Sequence, residues 1–123
     1  MGKPQLLIVD DDKSSRDITR LFLRDLCDID SADNGVTAIK KTKEKMYDVI
    51  LMDIGLGREM NGLEAARKIR ENVKYANVPI IAVTAYAMKG DREEILESGC
   101  SHYLSKPFES ITIKNLIKEV LSI

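Results

Sequence analysis

Along this chain, short apolar runs alternate with segments whose apolar residues recur at helical spacing. The clearest runs are Leu6–Val9, Asp48–Met52 and Pro79–Val83. Each is almost continuously apolar, which is typical of strands buried on both faces of a parallel sheet. Two shorter runs, Ile29–Ala32 and Ser101–Ser105, are predicted as further strands. The pattern therefore predicts five strands.

Helical patterns follow each predicted strand. The first helix is predicted over Ser14–Leu26, with Ile18, Leu21 and Phe22 on its inward face. Asn34-Gly35 is interpreted as a turn before the second helix. Gly99 is expected to end the fourth helix, because glycine is favoured just after a helix C-terminus. The remaining helices are predicted at Val36–Met46, Leu63–Glu71, Lys89–Ser98 and Ser110–Leu121.

Five strands that alternate with five helices predict an α/β fold with a parallel sheet and helices on both faces. The 123 residues are enough for one domain with a single core, so we predict one domain over residues 1–123. Ligands of such sheets bind beyond the carboxyl ends of the strands. The residues at those ends are therefore the first candidates for function.

Charged and hydroxyl side chains stand at the predicted strand ends. Because parallel strands end at one edge of the sheet, we expect these side chains to converge. Clustered carboxylates repel one another, and a hard cation such as Mg²⁺ relieves that repulsion. An ionised aspartate can also attack phosphorus, while a metal and a lysine neutralise the phosphoryl charge. The set comprises Asp10, Asp11, Asp12, Asp53, Thr84 and Lys106.

Composition narrows the classes of partner. The 19 basic and 20 acidic side chains leave a net charge of -1, which gives no argument for nucleic acid or an anionic membrane surface. No apolar run approaches the roughly 20 residues of a membrane helix. Cys27 and Cys100 match no metal-binding spacing and are expected to be free thiols. We predict a cytoplasmic protein.

Taken together, these segments resemble the receiver domain of two-component response regulators. The resemblance covers the whole chain and is specific in combination. It implies a flavodoxin-like (βα)5 fold with strand order 2-1-3-4-5, for which a receiver is a standard example. The segments that carry it are "LLIVDDD", "VILMDI", "MNGLEAARKIR", "PIIAVTAYA" and "GCSHYLSKPF".

The resemblance implies roles for residues at the strand ends. Asp53 matches the phosphoacceptor, and Lys106 matches the phosphate-binding lysine. Asp10 and Asp11 match the acidic pair that binds Mg²⁺ together with Asp53, and Gly55 matches the position whose backbone carbonyl binds the metal. Asp12 falls just past the pair and is left out of the site, since an aspartate before a helix is a common N-cap.

Three further positions match the conformational switch of the family. Thr84 matches the switch hydroxyl, and Tyr103 matches the aromatic side chain that turns inward when Thr84 moves toward the phosphoryl group. Pro107 matches the proline that usually follows a cis peptide bond. The resemblance thus implies a switch that reports to a docking surface at roughly residues 89–123.

The segment after Asp53 departs from the commonest receiver pattern. In "DIGLGREMNGLE", Leu56-Gly57 and an apparent extra residue precede Met60. This variant is similar to receivers of hybrid sensor kinases. Gly55 and Tyr86 are expected to tune rates beside the site.

Three functions remain open from the residues. The leading one is a receiver that is phosphorylated by a histidine kinase or a histidine phosphotransfer domain, and that is not an enzyme with an external substrate. A haloacid-dehalogenase-like phosphatase, with Asp10 as nucleophile, also uses an aspartyl phosphate. A phosphorylation-independent interaction module is the third, but it has no need of the intact acidic set.

Overall fold

The computed structural model describes residues 2–55, 60–85 and 89–123, with the side chains of 89–92 excepted. The Leu56-Gly57 loop, where the sequence departs from the commonest receiver pattern, and Tyr86, which is expected to tune rates, lie outside the described residues. The strands are β1 Gln5–Val9, β2 Asp28–Ala32, β3 Val49–Asp53, β4 Ile80–Thr84 and β5 His102–Ser105. The helices are α1 Lys13–Leu23, α2 Gly35–Glu44, α3 Gly62–Arg70, α4 Lys89–Glu97 and α5 Ser110–Leu121, with a short 3-10 helix at Val73–Tyr75.

The five strands form one parallel sheet in the order β2-β1-β3-β4-β5. The predicted α/β class and strand order are confirmed. In the register of the sheet, Asp53 lies opposite Val83, and Thr84 lies opposite Ser105. The residues that end β1, β3, β4 and β5 therefore share one edge, as expected of a parallel sheet.

Two apolar cores lie on the two faces of the sheet. Side chains alternate along β1, so that Leu7 and Val9 enter one core while Leu6 and Ile8 enter the other. The first core is covered by residues of α2, α3 and α4, and the second by residues of α1 and α5. This burial on both faces explains why the strands are almost continuously apolar.

The predicted inward face of α1 is wrong at two positions. Ile18 and Leu21 are 52% and 56% exposed, while Thr19 and Leu23 are buried. The buried stripe therefore runs through a threonine, which hides it from a purely apolar pattern. The helix also ends at Leu23 rather than Leu26, because the chain turns there to enter β2.

Polar caps set the starts of three helices. Asp12, Asn34 and Asn61 each accept a hydrogen bond from the backbone N–H three residues further on. Asn34-Gly35 thus begins α2 instead of forming a separate turn.

Gly99 lies two residues beyond the last residue of α4. It has a φ of 104°, which confirms the expected glycine stop at the end of this helix.

Among the described residues, no helix has the length and apolar character that crossing a membrane requires.

Candidate functional site

Three carboxylates meet at the carboxyl edge of the sheet. One oxygen each from Asp10, Asp11 and Asp53 can be chosen so that all lie within 4.8 Å of one another. Asp10 and Asp53 are 5% and 8% exposed, whereas Asp11 lies open to solvent. Negative charges this close repel strongly where water is partly excluded. The predicted convergence is therefore present in the fold.

Asp10 is held in place from both of its ends. Its backbone N–H donates to the Ala32 carbonyl at 3.1 Å, which extends the pairing of β1 with β2. Its Oδ1 accepts the Asp12 N–H at 2.9 Å, and its carbonyl oxygen accepts Arg16 Nη1 at 2.8 Å. Arg16 was not singled out in the sequence analysis, because its contact is with a backbone atom that no side-chain motif records.

Asp53 is the last residue of β3 and projects from the strand end. Its Oδ1 accepts the backbone N–H of Gly55 at 2.9 Å, and its Oδ2 lies 3.2 Å from Lys106 Nζ. Gly62, the first residue of α3, packs against the same strand end. A Cβ at Gly62 would lie 2.3 Å from the carbonyl oxygen of Asp53, so a side chain there would displace the backbone that carries this carboxylate.

Lys106 follows β5 and reaches two of the three carboxylates. Its Nζ lies 3.2 Å from Asp53 Oδ2 and 3.6 Å from Asp10 Oδ2. Its backbone N–H donates to the Thr84 carbonyl at 2.7 Å, which ties the end of β5 to the end of β4. The ammonium is thus placed by the sheet, with its long side chain aimed back across β4 and β3.

Burial and charge act on the protonation of this cluster. Burial, and then the repulsion from Asp53, raise the pKa of Asp10, against the lowering effects of the Asp12 N–H and of Lys106. For Lys106, burial lowers the pKa, but attraction to Asp53 and Asp10 outweighs it, so the net pKa is raised. The Lys106 ammonium therefore stays charged, whereas burial disfavours the charged form of Asp10.

The three residues matched to a switch lie near this cluster. Thr84 ends β4 and is 4% exposed. Tyr103 lies on β5 opposite Ala82 and is partly buried against the core that α2, α3 and α4 cover. The Lys106–Pro107 peptide bond is cis, as the resemblance implied. Motion of these residues stays a prediction.

The donor set fits a hard divalent cation. All three clustered side chains offer carboxylate oxygens, and in the described part of the chain the Lys106 ammonium alone forms ion pairs with them, so these described groups carry an excess of negative charge. Oxygen donors with residual negative charge are what Mg²⁺ and similar ions take. Asp12 lies outside this set, since its carboxylate caps α1 at Ser15, as its position before a helix suggested.

The family is shown by comparison with known proteins. The family model for the response regulator receiver domain matches residues 6–118. The chain therefore belongs to the receiver domains of two-component signalling. This assignment decides between the receiver and the haloacid-dehalogenase-like phosphatase that the residues alone left open.

Curated relatives include response regulators and histidine kinases. The chain is 42% identical over 89 residues to the polar-differentiation response regulator DivK of Brucella anthropi, covering 72% of this chain and 69% of DivK. It is 34% identical over 113 residues to the signal transduction histidine-protein kinase BarA of Escherichia coli, covering 91% of this chain. The match spans only 12% of the length of BarA.

Solved structures agree on the fold. The receiver domain of a sensor histidine kinase from Pseudomonas aeruginosa has a TM-score of 0.90 and 32% identity, covering 99% of this chain and 100% of that one. That crystal structure holds a magnesium ion coordinated in its active site cleft. The chemotaxis protein CheY4 of Vibrio cholerae has a TM-score of 0.92 and 27% identity, covering 98% of this chain and 100% of that chain.

Proposed function

We propose that this receiver domain accepts a phosphoryl group on Asp53. The observation that carries the proposal is the position of the Asp53 carboxylate, which lies 3.2 Å from Lys106 Nζ and within 4.8 Å of carboxylate oxygens of both Asp10 and Asp11. A nucleophilic oxygen that lies close to a cation and to a cation-binding pair is suited to attack a phosphorus atom. Receiver domains are generally phosphoacceptors rather than enzymes.

Mg²⁺ is the cofactor that we assign to the carboxylate cluster. Asp10, Asp11 and Asp53 would hold it with their carboxylate oxygens, and Gly55 with its backbone carbonyl. When bound, the ion neutralises negative charge on the carboxylates and on the incoming phosphoryl oxygens. The magnesium ion in the receiver of the Pseudomonas kinase supports this assignment.

The transfer itself requires little from the protein beyond position and charge. A carboxylate oxygen of Asp53 forms a bond to phosphorus, and the bond from phosphorus to the donor nitrogen breaks, with its electron pair left on the imidazole. Lys106 places its ammonium where negative charge collects on the phosphoryl oxygens. The close hydrogen bond from Gly55 to Asp53 Oδ1 orients the attacking group. Loss of the phosphoryl group to water returns the free carboxylate.

The switch that we propose runs through Thr84 and Tyr103. Thr84 lies at the end of β4, one residue beyond the position opposite Asp53, and so within the same edge of the sheet. A phosphoryl group on Asp53 would attract its hydroxyl, and Tyr103 would move inward into the space released. Pro107 shapes the turn that carries Lys106. The signal would reach partners through the surface of roughly residues 89–123.

The phosphodonor is expected to be a histidine kinase or a histidine phosphotransfer domain. Both kinds of relative found for this chain support that expectation, since one is a response regulator and the other a histidine-protein kinase.

Intact-mass spectrometry after incubation with acetyl phosphate tests the proposal. We expect the wild-type chain to gain one phosphoryl group only when Mg²⁺ is present, and Asp53→Asn to gain none. Asp12→Asn is the matched control, because it makes the same chemical change two residues from Asp10, at an exposed position where asparagine also caps a helix.

The outcomes separate the remaining functions. Labelling that persists in Asp53→Asn would remove Asp53 as the acceptor. A wild-type chain that gains no mass from acetyl phosphate, nor from an active histidine kinase, would favour the phosphorylation-independent interaction module. Equal loss of labelling in Asp12→Asn would indicate that the change of charge, rather than the nucleophile, matters.

A further inference from the structure

A cavity of about 480 Å³ lies beneath α1, on the face of the sheet that α1 and α5 cover. Its floor consists of Ile8, Leu51 and Val83 from three adjacent strands. The rings of Phe22 and Phe108 also line it, and they meet edge to face with their centroids 6.4 Å apart. Most of the cavity wall is therefore apolar.

One end of the cavity is charged. Asp10, Asp53 and Lys106 line it together with the apolar residues, so the cavity is continuous with the carboxylate cluster. A concave site with an apolar body and a few polar groups at one end is typical of small-molecule pockets, which measure roughly 300–1,000 Å³. Phosphoryl transfer uses only the charged end, and the apolar body is left without a role in that chemistry.

The charges at this end of the cavity determine the charge of the ligand group that can bind there. Lys106 faces both Asp10 and Asp53, at 3.6 and 3.2 Å, and the exposed Asp11 brings a third carboxylate within 4.8 Å of them. Among the described residues, three carboxylates face one ammonium, and this balance favours a second cation and disfavours an anionic head group. An ammonium group can also donate charge-assisted hydrogen bonds to both buried carboxylates.

We infer that this cavity binds small amphipathic amines. The ammonium group lies against Asp10 and Asp53, and the apolar part lies on the floor of Ile8, Leu51 and Val83. Such a ligand occupies the carboxylates that the proposed function assigns to Mg²⁺, so amine and Mg²⁺ compete. The competition rests on the proposed function, whereas the binding itself rests only on the cavity and its charges.

Three probes separate the contributions of charge and apolar surface. Phenethylamine carries both, phenethyl alcohol lacks the charge, and ethylamine lacks the ring. Titrations followed by amide ¹H–¹⁵N chemical shifts of the full chain are expected to show saturable shifts at Ile8, Thr19 and Val83. Phenethylamine is expected to bind about tenfold more tightly than either of the other two probes.

Two tryptophan variants on α1 test the location. Ile18 lines the cavity and is 52% exposed, so Ile18→Trp adds bulk at the rim with little disturbance of the core. Leu21 lies on the same helix and is 56% exposed, but does not belong to the described residues that line the cavity. We expect Ile18→Trp to weaken phenethylamine binding about fivefold and Leu21→Trp to leave it within about twofold.

Several results would overturn the inference. Equal affinity for phenethylamine and phenethyl alcohol, equal effects of the two tryptophan variants, or shifts confined to other regions would each do so. Acetyl phosphate labelling is measured in parallel to keep the two proposals apart. Labelling without amine binding rejects the amine-binding cavity alone. Amine binding without labelling of Asp53, by acetyl phosphate or by an active histidine kinase, supports the cavity and rejects the proposed function.

Discussion

Both ends of the sheet contain buried polar groups, but the groups at one end are paired in hydrogen bonds and those at the other end carry like charges. At the amino end, the buried Tyr75 hydroxyl donates to the Lys45 carbonyl at 2.7 Å and accepts the Tyr47 N–H at 3.1 Å. The Tyr47 hydroxyl in turn donates to Asp30 Oδ2 at 2.8 Å. At the carboxyl end, Asp10, Asp11 and Asp53 lie together, and among the described residues only the Lys106 ammonium pairs with them, at Asp10 and Asp53. One end is saturated with hydrogen bonds, and the other retains unbalanced charge.

This difference indicates which end stabilises the fold and which end is built for chemistry. A hydrogen-bond network stabilises a fold most when every member is satisfied. Burial, and then the hydrogen bond to Asp30, raise the pKa of Tyr47, so its hydroxyl stays protonated and keeps its hydrogen bond across the physiological range of pH. A cluster of like charges, in contrast, destabilises the fold until a ligand arrives. Sites of function commonly carry such a penalty.

The largest expected loss in the free energy of unfolding comes from a substitution that displaces the backbone at the carboxyl end of the sheet. Gly62→Ala should destabilise the fold by about 3 kcal/mol, because its Cβ would meet the backbone of Asp53 and Ile54 at 2.3 and 2.6 Å. Urea unfolding measures this, and acetyl phosphate labelling should fall with it. Gly35→Ala is the control, since the nearest atom to its Cβ is the flexible Met60 Sδ at 2.9 Å. Equal losses in both variants would contradict the special role of Gly62.

Removal of the Tyr75 hydroxyl should destabilise the fold at the amino end of the sheet. Tyr75→Phe leaves the Tyr47 N–H and the Lys45 carbonyl without their partner, and we expect a loss of about 2 kcal/mol in the free energy of unfolding. Phosphorylation of the folded variant should be unchanged, since the network lies at the opposite end of the sheet. Tyr47→Phe should have a smaller effect, because Asp30 keeps Lys45 at 3.1 Å. The reverse order would show that the network is not saturated through Tyr75.

A divalent cation should stabilise only the charged end. At ten times its dissociation constant, Mg²⁺ should raise the free energy of unfolding by about 1.4 kcal/mol, since it binds the folded chain alone. Thermal unfolding with and without Mg²⁺ measures the shift, with Ca²⁺ as a test of ion size. Asp12→Asn should retain the full shift, and Asp53→Asn should lose most of it. A shift of the same size in the wild-type chain, Asp12→Asn and Asp53→Asn would indicate that the salt screens charges in general rather than that Mg²⁺ binds at a specific site.

Neutralising one carboxylate should give the smallest change, and in the stabilising direction. Asp10→Asn should raise the free energy of unfolding by about 1 kcal/mol at neutral pH, because burial disfavours the charged form of this side chain. The Asn Oδ1 can still accept the Asp12 N–H.

The gain from Asp10→Asn should depend on pH. The folded pKa of Asp10 is raised above its ordinary value of 3.8, so the penalty is complete above the folded pKa and vanishes as the pH falls to 3.8 and below. Urea unfolding of both chains across this range checks the sign. If Asp10→Asn is less stable than the wild type at neutral pH, or if its gain in the free energy of unfolding grows in acid, then the Asp10 carboxylate stabilises the fold in the absence of Mg²⁺.

Much of the fold was predictable because its signals are local. Leu6–Val9 and Pro79–Val83 are almost continuously apolar, as is typical of a parallel strand covered on both faces, and both predictions are confirmed within one residue at each end. The α5 bounds Ser110–Leu121 match the prediction at both ends. The 3-10 helix Val73–Tyr75 was not predicted, since three residues carry no periodicity.

The candidate site was predictable as a set of residue types at strand ends, and less so as an arrangement. Parallel strands end together, so Asp10, Asp53 and Lys106 were expected at one edge. Which oxygens face Lys106, and that Arg16 holds the Asp10 carbonyl, depend on side-chain directions between distant parts of the chain. The roles of Thr84, Tyr103 and Pro107 in switching stay predictions.

The sequence by itself determined the alternation of strands and helices, the Asp12 cap, the Gly99 stop and the acidic residues at the sheet edge, because each depends on neighbours within a few positions. Only the tertiary structure decided the buried stripe of α1 through Thr19, the cavity beneath that helix, and the contact of Gly62 with the Asp53 carbonyl. These features arise where elements remote in sequence pack together. Close packing is decided by volumes and directions that one-dimensional periodicity does not contain.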